Sequence, residues 1–217
     1  MNCLIIDCSS GMKVYVLKDD IVYSKIDENQ KKHTDELLVA VDELFLSAGV
    51  SPNDLDVVAV CVGPGSFTGV RVAVSICKGL AVESKTKIVT VSNFDVFEEK
   101  LECDHFVVLD GFSEYVYVRK NLDGNIEDCC VNLNEFAEEY LSKFSNIEIY
   151  AGDEKTQKRL ENVKILSKNA TNDTILCVKR KITMGEFVDI NQINPVYLRA
   201  SQAEIERDKK LKNLAGK

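Results

Sequence analysis

The chain reads as an α/β protein folded in two lobes, the second smaller than the first. Two observations predict this. The N-terminal half orders its patterned segments as strand, strand, strand, helix, strand, helix, strand. In addition, the strand ending in an acid and a glycine that opens the chain at residues 4–11 returns at Phe106–Gly111. A repeated opening of that kind marks a duplicated fold. The lobes are accordingly set at residues 1–103 and, with a C-terminal tail, 104–217.

The elements follow from local patterning. Leu4-Ile5-Ile6-Asp7-Cys8-Ser9-Ser10-Gly11 is an apolar strand running into a small polar turn. Met12 to Leu17, the Lys18-Asp19-Asp20 turn and Ile21 to Ile26 complete an antiparallel meander. From Thr34 the period changes: Leu37, Leu38, Val41, Leu44, Phe45 and Ala48 fall on one helical stripe that stops at Gly49. Val57 to Val62 is a continuous β-branched and small apolar run, suited to a strand buried on both faces. A helix over 69–84, passing through Val74, Cys77, Leu80 and Ala81, and a short strand at Lys87–Val91 finish the first lobe. In the second lobe, Phe106 to Gly111 and Tyr115 to Arg119 read as strands, Leu133 to Phe144 as a helix, Ile147 to Tyr150 as a strand and Thr174 to Met184 as a helix. The region 125–190 is otherwise weakly patterned.

The turn Gly63-Pro64-Gly65-Ser66-Phe67-Thr68-Gly69-Val70-Arg71 sits between a buried strand and a long helix. Glycine permits positive φ, proline fixes its own, and Ser66 or Thr68 can cap the helix. Backbone N–H groups at a helix N-terminus make a seat for an anion, so Gly63, Gly65, Ser66, Thr68 and Gly69 form a candidate anion loop. The alternative is a plain strand-to-helix joint. A nucleotide-triphosphate loop is excluded, because Val70 and Arg71 follow Gly69 where that loop needs Lys and Ser or Thr. The dinucleotide spacing breaks at Thr68, and Phe67 occupies the place of a hydrolase nucleophile in Gly65-Ser66-Phe67-Thr68-Gly69.

Composition narrows the classes further. A formal charge of -8 with pI near 5.0 repels nucleic acid at long range, so any RNA contact must be local or arranged by a partner. Basic residues cluster at Lys179-Arg180-Lys181 and in the tail from Arg207 through Lys209, Lys210, Lys212 and Lys217. Eight cysteines without a C-x-x-C pair, several of them inside apolar runs, read as small buried hydrophobes of a reducing cytosol rather than as a disulfide or zinc framework. No leader is recognised, and no run approaches the roughly 18 apolar residues of a membrane span. The expected location is cytoplasmic, without membrane contact.

Five motifs spread in order along the chain resemble the TsaB (YeaZ-like) family. They are Ile5-Ile6-Asp7-Cys8-Ser9-Ser10, the helix start His33-Thr34-Asp35-Glu36-Leu37-Leu38, Gly63 to Arg71, Asp110 with Glu114-Tyr115-Val116-Tyr117, and Pro195-Val196-Tyr197-Leu198-Arg199 followed by Ser201-Gln202-Ala203-Glu204. The resemblance implies a two-lobed fold of the actin, sugar-kinase and Hsp70 (ASKHA) type with mixed sheets. It further implies a non-catalytic scaffold and activator subunit of the machinery that makes N6-threonylcarbamoyladenosine at position 37 of tRNA. Such a subunit binds a TsaD-type catalytic paralogue working with a TsaE-type ATPase, forms a homodimer when that partner is missing, and meets tRNA only through the complex.

The resemblance assigns the partner interface to the two long helices, at His33, Leu37, Val41, Leu44, Phe67, Arg71, Val74 and Lys78. No catalytic, metal or cofactor residue is expected on this chain, and ATP and metal are expected on the partner subunits. The inventory agrees: a TsaD-type catalyst holds metal through His-x-x-x-His, whereas here His33 is followed by Leu37 at that spacing and the only other histidine is His105. Asp7-Cys8-Ser9-Ser10-Gly11 is shorter in hydroxyls and glycine than the phosphate loop of a kinase. An independent ATPase or small-molecule kinase built around Asp7, and a free-standing homodimeric binding module, are the alternatives.

Overall fold

In the computed structural model, the described residues are 1–19, 21–28, 33–82, 84–98, 101, 104–141, 147–152, 154–160, 164–165 and 170–199. The first lobe holds strands β1 (Asn2–Asp7), β2 (Met12–Lys18), β3 (Ile21–Asp27), β4 (Val57–Cys61) and β5 (Lys87–Val91), with helices α1 (His33–Ala48), α2 (Phe67–Ala81) and α3 (Asn93–Glu98). Its sheet runs β3-β2-β1-β4-β5, antiparallel from β1 to β3 and parallel from β1 through β4 to β5. The second lobe holds β6 (His105–Asp110), β7 (Tyr115–Leu122), β8 (Asn125–Asn132), α4 (Leu133–Phe136), β9 (Glu148–Ala151), α5 (Glu154–Arg159) and β10 (Lys164–Ile165). Its order, β10-β9-β6-β7-β8, repeats the first sheet strand for strand: a hairpin pair beside the founding strand on one side, parallel neighbours on the other. This duplicated mixed-sheet plan is the two-lobed ASKHA-like fold.

The first sheet is covered on both faces. On one side α1 and α2 press Leu37, Val41, Leu44, Phe45, Val70 and Val74 against Leu4, Ile6, Val14, Val58 and Val60. On the other, α6 (Ala170–Met184) lays Ile175, Cys177 and Val178 over Cys3, Ile5, Tyr15, Val57, Ala59 and Val89. The chain then leaves the second lobe and returns to the first, where Ile193 joins the core under α1 and α2. The cause is the apolar back face of the first sheet, which needs a cover. Burying each such aliphatic side chain contributes about 1.5–3 kcal/mol.

Element by element, the meander, both long helices and the strands at 57–61 and 87–91 lie where the patterning puts them. Leu133 to Phe144 differs: α4 covers one turn, a π-helical turn follows at Ala137–Leu141, and the last residues of the expected helix lie outside those described. α6 starts before the expected Thr174, and β8 is a strand that the patterning does not announce. The motif Ser201 to Glu204 and the basic tail from Arg207 onward also lie outside the described residues. Among the described residues, no helix is long and apolar enough to cross a membrane.

Between the lobes stands α3. Phe94 and Phe97 pack on Val107 and Leu109 of β6, with Leu198 alongside. Above this apolar wedge Arg119 of β7 grips Asp128 through Nε at 2.7 Å and Nη2 at 2.8 Å, and reaches Asp95 and Glu98 of α3 at 2.8 Å each. Lys181 of α6 adds a contact of 3.1 Å to Asp95.

Candidate functional site

Two places bear on function: the cleft edge where β1, the glycine turn and α3 meet, and the outer surface of α1 and α2. At the cleft edge Asp7 ends β1 and is buried. Its carboxylate accepts from the Ser9 amide at 2.9 Å, from Ser9 Oγ at 2.5 Å and from Lys13 Nζ at 3.2 Å, while Lys13 also donates to Ser10 Oγ at 3.2 Å. Burial alone would lower the Lys13 pKa, but the charge and hydrogen bond of Asp7 raise it above the ordinary lysine value. The ammonium is therefore a built-in counter-ion at the carboxylate that a kinase would turn toward metal and phosphate. Asp110 ends the matching strand of the second lobe and is likewise engaged, by Arg159 Nη1 at 2.9 Å.

Three amides of the glycine turn are engaged within the chain. The Ser66 amide donates to the Ser9 carbonyl at 2.7 Å, the Gly69 amide to Ser66 Oγ at 3.2 Å, and the Val70 amide to the Ser66 carbonyl at 3.0 Å. Ser66, rather than Thr68, is the cap. A Cβ on Gly65 would run into the backbone of Ser9, and one on Gly69 into the Cys8 carbonyl. These glycines exist so that the turn can lie flat on the β1–β2 turn. Gly63, at φ +100, makes the bend itself. Asn93, which sequence reasoning misses, clips the two turns together: its Nδ2 donates to Ser9 Oγ at 2.8 Å and to the Pro64 carbonyl at 2.7 Å. A signal is present, since Ser92-Asn93 follows a strand directly and polar residues there cap helices.

A thiol nucleophile finds no support here. Burial, with Asp7 adding to it, pushes the Cys8 thiol up to about 12, and the imidazole of His105 faces Glu98 at 3.4 Å in the other lobe. Among the described residues no group of three or more His, Cys, Asp or Glu side chains converges as a metal site.

The eight residues expected at the partner interface separate into groups. Leu37, Val41, Leu44 and Val74 lie in the core of their own lobe: the same stripe that makes the helices amphipathic turns them toward the sheet. His33 opens α1, but its side chain is not among those described. Lys78 is half-buried on α2. Phe67 and Arg71 sit at the N-terminal end of α2, where the Arg71 guanidinium lies 3.9 Å over the Phe67 ring and Nε donates to Tyr197 Oη at 2.6 Å. The structure thus joins the two most distinctive stretches of the sequence, Gly63 to Arg71 and Pro195 to Arg199. The Val196 amide bonds the Val62 carbonyl at 2.8 Å, and the Phe67 and Tyr197 rings stand 4.7 Å apart.

What α1 exposes instead is Leu38, Val39 and Leu46, the last 83% accessible. Val72, Ile76 and Leu80 of α2 are half-buried, and Gly79 has nothing within 4 Å of where a Cβ would stand.

The geometry can be set beside known proteins. The profile of the family described as "TsaD: tRNA N6-adenosine threonylcarbamoyltransferase" matches residues 21–179, well over half of the chain. The tRNA threonylcarbamoyladenosine biosynthesis protein TsaB of Bacillus subtilis is 34% identical over 97 residues, 44% of this chain and 42% of that one. Its counterpart in Buchnera aphidicola subsp. Schizaphis graminum is 32% identical over 87 residues, 40% of this chain and 41% of that one. The chain thus aligns with about two fifths of the length of these curated relatives. The crystal structure of YeaZ from Pseudomonas aeruginosa superposes with a TM-score of 0.69 at 22% identity, covering 91% of this chain and 99% of that one, a likeness of fold. On the profile, the chain belongs to the family described as TsaD, and the curated relatives it matches within that family carry the name TsaB.

Proposed function

We propose that this chain is a non-catalytic, cytoplasmic subunit of the apparatus that makes N6-threonylcarbamoyladenosine in tRNA, and that it works by docking a TsaD-type catalytic paralogue. The observation that carries the reading is the self-occupied cleft edge. Asp7 is neutralised by Lys13, and the glycine turn spends three of its amides on the chain's own Ser9 and Ser66. Chemistry on a phosphate requires those groups to be available. The interface in this reading is the outer face of α1 with the adjoining edge of α2, where Leu38, Val39 and Leu46 lie open and Gly79 leaves room for a partner helix to approach closely. A homodimer through the same face excludes the paralogue, so the two assemblies compete. ATP, metal and the TsaE-type ATPase belong to the partner side.

The test is reconstitution. The full chain, mixed with the TsaD-type subunit of the same organism, should co-elute with it on size exclusion, and tRNA threonylcarbamoylation should need both. Leu46→Glu should abolish co-elution and modification together while leaving the melting temperature unchanged. ATP turnover by the isolated chain that is lost in Asp7→Ala would reject the reading in favour of an independent ATPase.

A further inference from the structure

We infer that the strip formed by Phe67, Arg71, Tyr197, Arg199, Tyr115 and Phe112 is a stacking surface for an unpaired stretch of RNA. The inference rests on the proposed role in tRNA modification and adds a direct RNA contact to it.

The strip is two arginine–aromatic stacks joined by one short segment. In the first, the Arg71 guanidinium lies 3.9 Å from the Phe67 ring centre and 5.4 Å from that of Tyr197. In the second, the Arg199 guanidinium lies 4.1 Å from the Tyr115 ring centre and 5.9 Å from that of Phe112, and Nη1 reaches the Phe112 carbonyl at 3.5 Å. Tyr197 and Arg199 are two residues apart, and the segment carrying them is fixed on both sides: Val196 bonds Val62 of the first lobe, and Leu198 packs into the apolar wedge between the lobes. The stacks are therefore held ready before anything binds, which reduces the ordering cost of association.

Two features decide the kind of partner. Phe112 is 70% exposed and Tyr197 45%, so both rings are accessible from solvent, while Phe67, 36% exposed, already carries the Arg71 guanidinium on its face. Among the described residues neither Arg71 nor Arg199 has a carboxylate within ion-pair distance, although acids outnumber bases by 35 to 27 in the sequence. Guanidiniums that lack a carboxylate partner, beside the accessible rings of Phe112 and Tyr197, offer charge to a phosphate and a face to a base at once, the combination that binds single-stranded nucleic acid without reading its sequence. The net charge of -8 means that such a surface must act locally and weakly alone, and more strongly when a partner holds the RNA nearby. An acidic protein segment would use the guanidiniums but would leave the rings without a role.

The test uses fluorescence anisotropy with a labelled tRNA anticodon stem–loop, and as control a fully paired RNA hairpin of equal length, added at low salt to the full chain alone and to its complex with the TsaD-type subunit. The stem–loop should bind more tightly than the paired hairpin. Phe112→Ala and Arg199→Met should each weaken it about tenfold, and Arg199→Met should lower the salt dependence by the slope of about one phosphate contact. Phe112 is largely exposed and Arg199→Met keeps the stem, so circular dichroism should show both variants folded and size exclusion should show them still assembling. No binding by the wild type in either form, unchanged binding by both variants, equal binding of the paired hairpin, or displacement by polyglutamate as effective as by unlabelled stem–loop would each overturn the inference. Variants that assemble normally but bind RNA as the wild type does would sink the stacking surface and leave the docking role standing. A wild-type chain that fails to assemble would sink the docking role, while the measurement on the chain alone still decides the surface.

Discussion

Replacing Asp95 by asparagine tests the ionic hub that ties α3 to the second lobe. Burial by itself would raise the Asp95 carboxyl, but the Ser92 hydroxyl and amide, Lys181 and Arg119 together bring it from 3.8 to about 2. That fall makes the ionised form worth roughly 2 kcal/mol to the folded state. Because the folded value lies below the unfolded one, that stabilisation is fully present above the ordinary carboxylate range and is lost as pH falls through about 2. The amide of the variant keeps one acceptor for Ser92, while Arg119 keeps Asp128 and Glu98, and Lys181 keeps Glu186. Urea unfolding should therefore show Asp95→Asn less stable by about 2 kcal/mol at pH 7, with the gap closing between about pH 4 and pH 2. A difference below about 0.5 kcal/mol at pH 7, the range of an ordinary surface change, or one that persists unchanged at pH 2, would refute the assignment.

Further outcomes follow from other contacts. Lys13→Met strips a buried carboxylate of its counter-ion and should cost about 3 kcal/mol in urea unfolding, a penalty kept through neutral pH and shrinking only above the ordinary lysine value of about 10.4, since the folded Lys13 pKa is raised. Gly69→Ala drives a methyl into the Cys8 carbonyl, a backbone atom that cannot step aside, and should lower stability by about 3 kcal/mol, seen as a fall of several degrees in Tm. Leu38→Glu should weaken affinity for the TsaD-type subunit at least tenfold by calorimetry without moving the chain's own Tm, since Leu38 is exposed. Burial pushes Cys3, Cys8 and Cys77 up to about 12, so iodoacetamide at pH 8 should leave these three unmodified in the native protein and label them once urea is added, as peptide mapping would show.

The first lobe is legible in the sequence because its strands and helices are long, apolar and cleanly periodic. β8 is not. NIEDCCVN is polar and lies at a sheet edge, so no apolar alternation announces it, yet the Asp123-Gly124 pair before it, with φ of 51° and 76°, is a hairpin turn that sequence reading passes over. The helix stripe of α1 is visible in the sequence, but its neighbour is not. Periodicity says which residues share a face, and only the position of the sheet says that Leu37 and Val41 point inward while Leu46 points out. The glycine turn stands out in the sequence, but the contacts that require its glycines do not. The need for glycine at Gly65 and Gly69 comes from Ser9 and Cys8, partners remote in sequence that no local pattern names. Asn93 escapes for the same cause, its role consisting of contacts to Ser9 and Pro64.

The return of α6 to the first lobe has a bearing on biogenesis. A nascent chain that has emerged only as far as β5 owns a complete five-stranded order but only one covered face, with Cys3, Ile5, Tyr15, Val57, Ala59 and Val89 bare on the other. Their lid comes from Ile175, Cys177 and Val178, and the plug on the opposite side from Ile193, all of them beyond the second lobe. The first lobe is thus completed only after the second has been made, and a sticky half-built sheet persists until the chain past Ile193 has emerged.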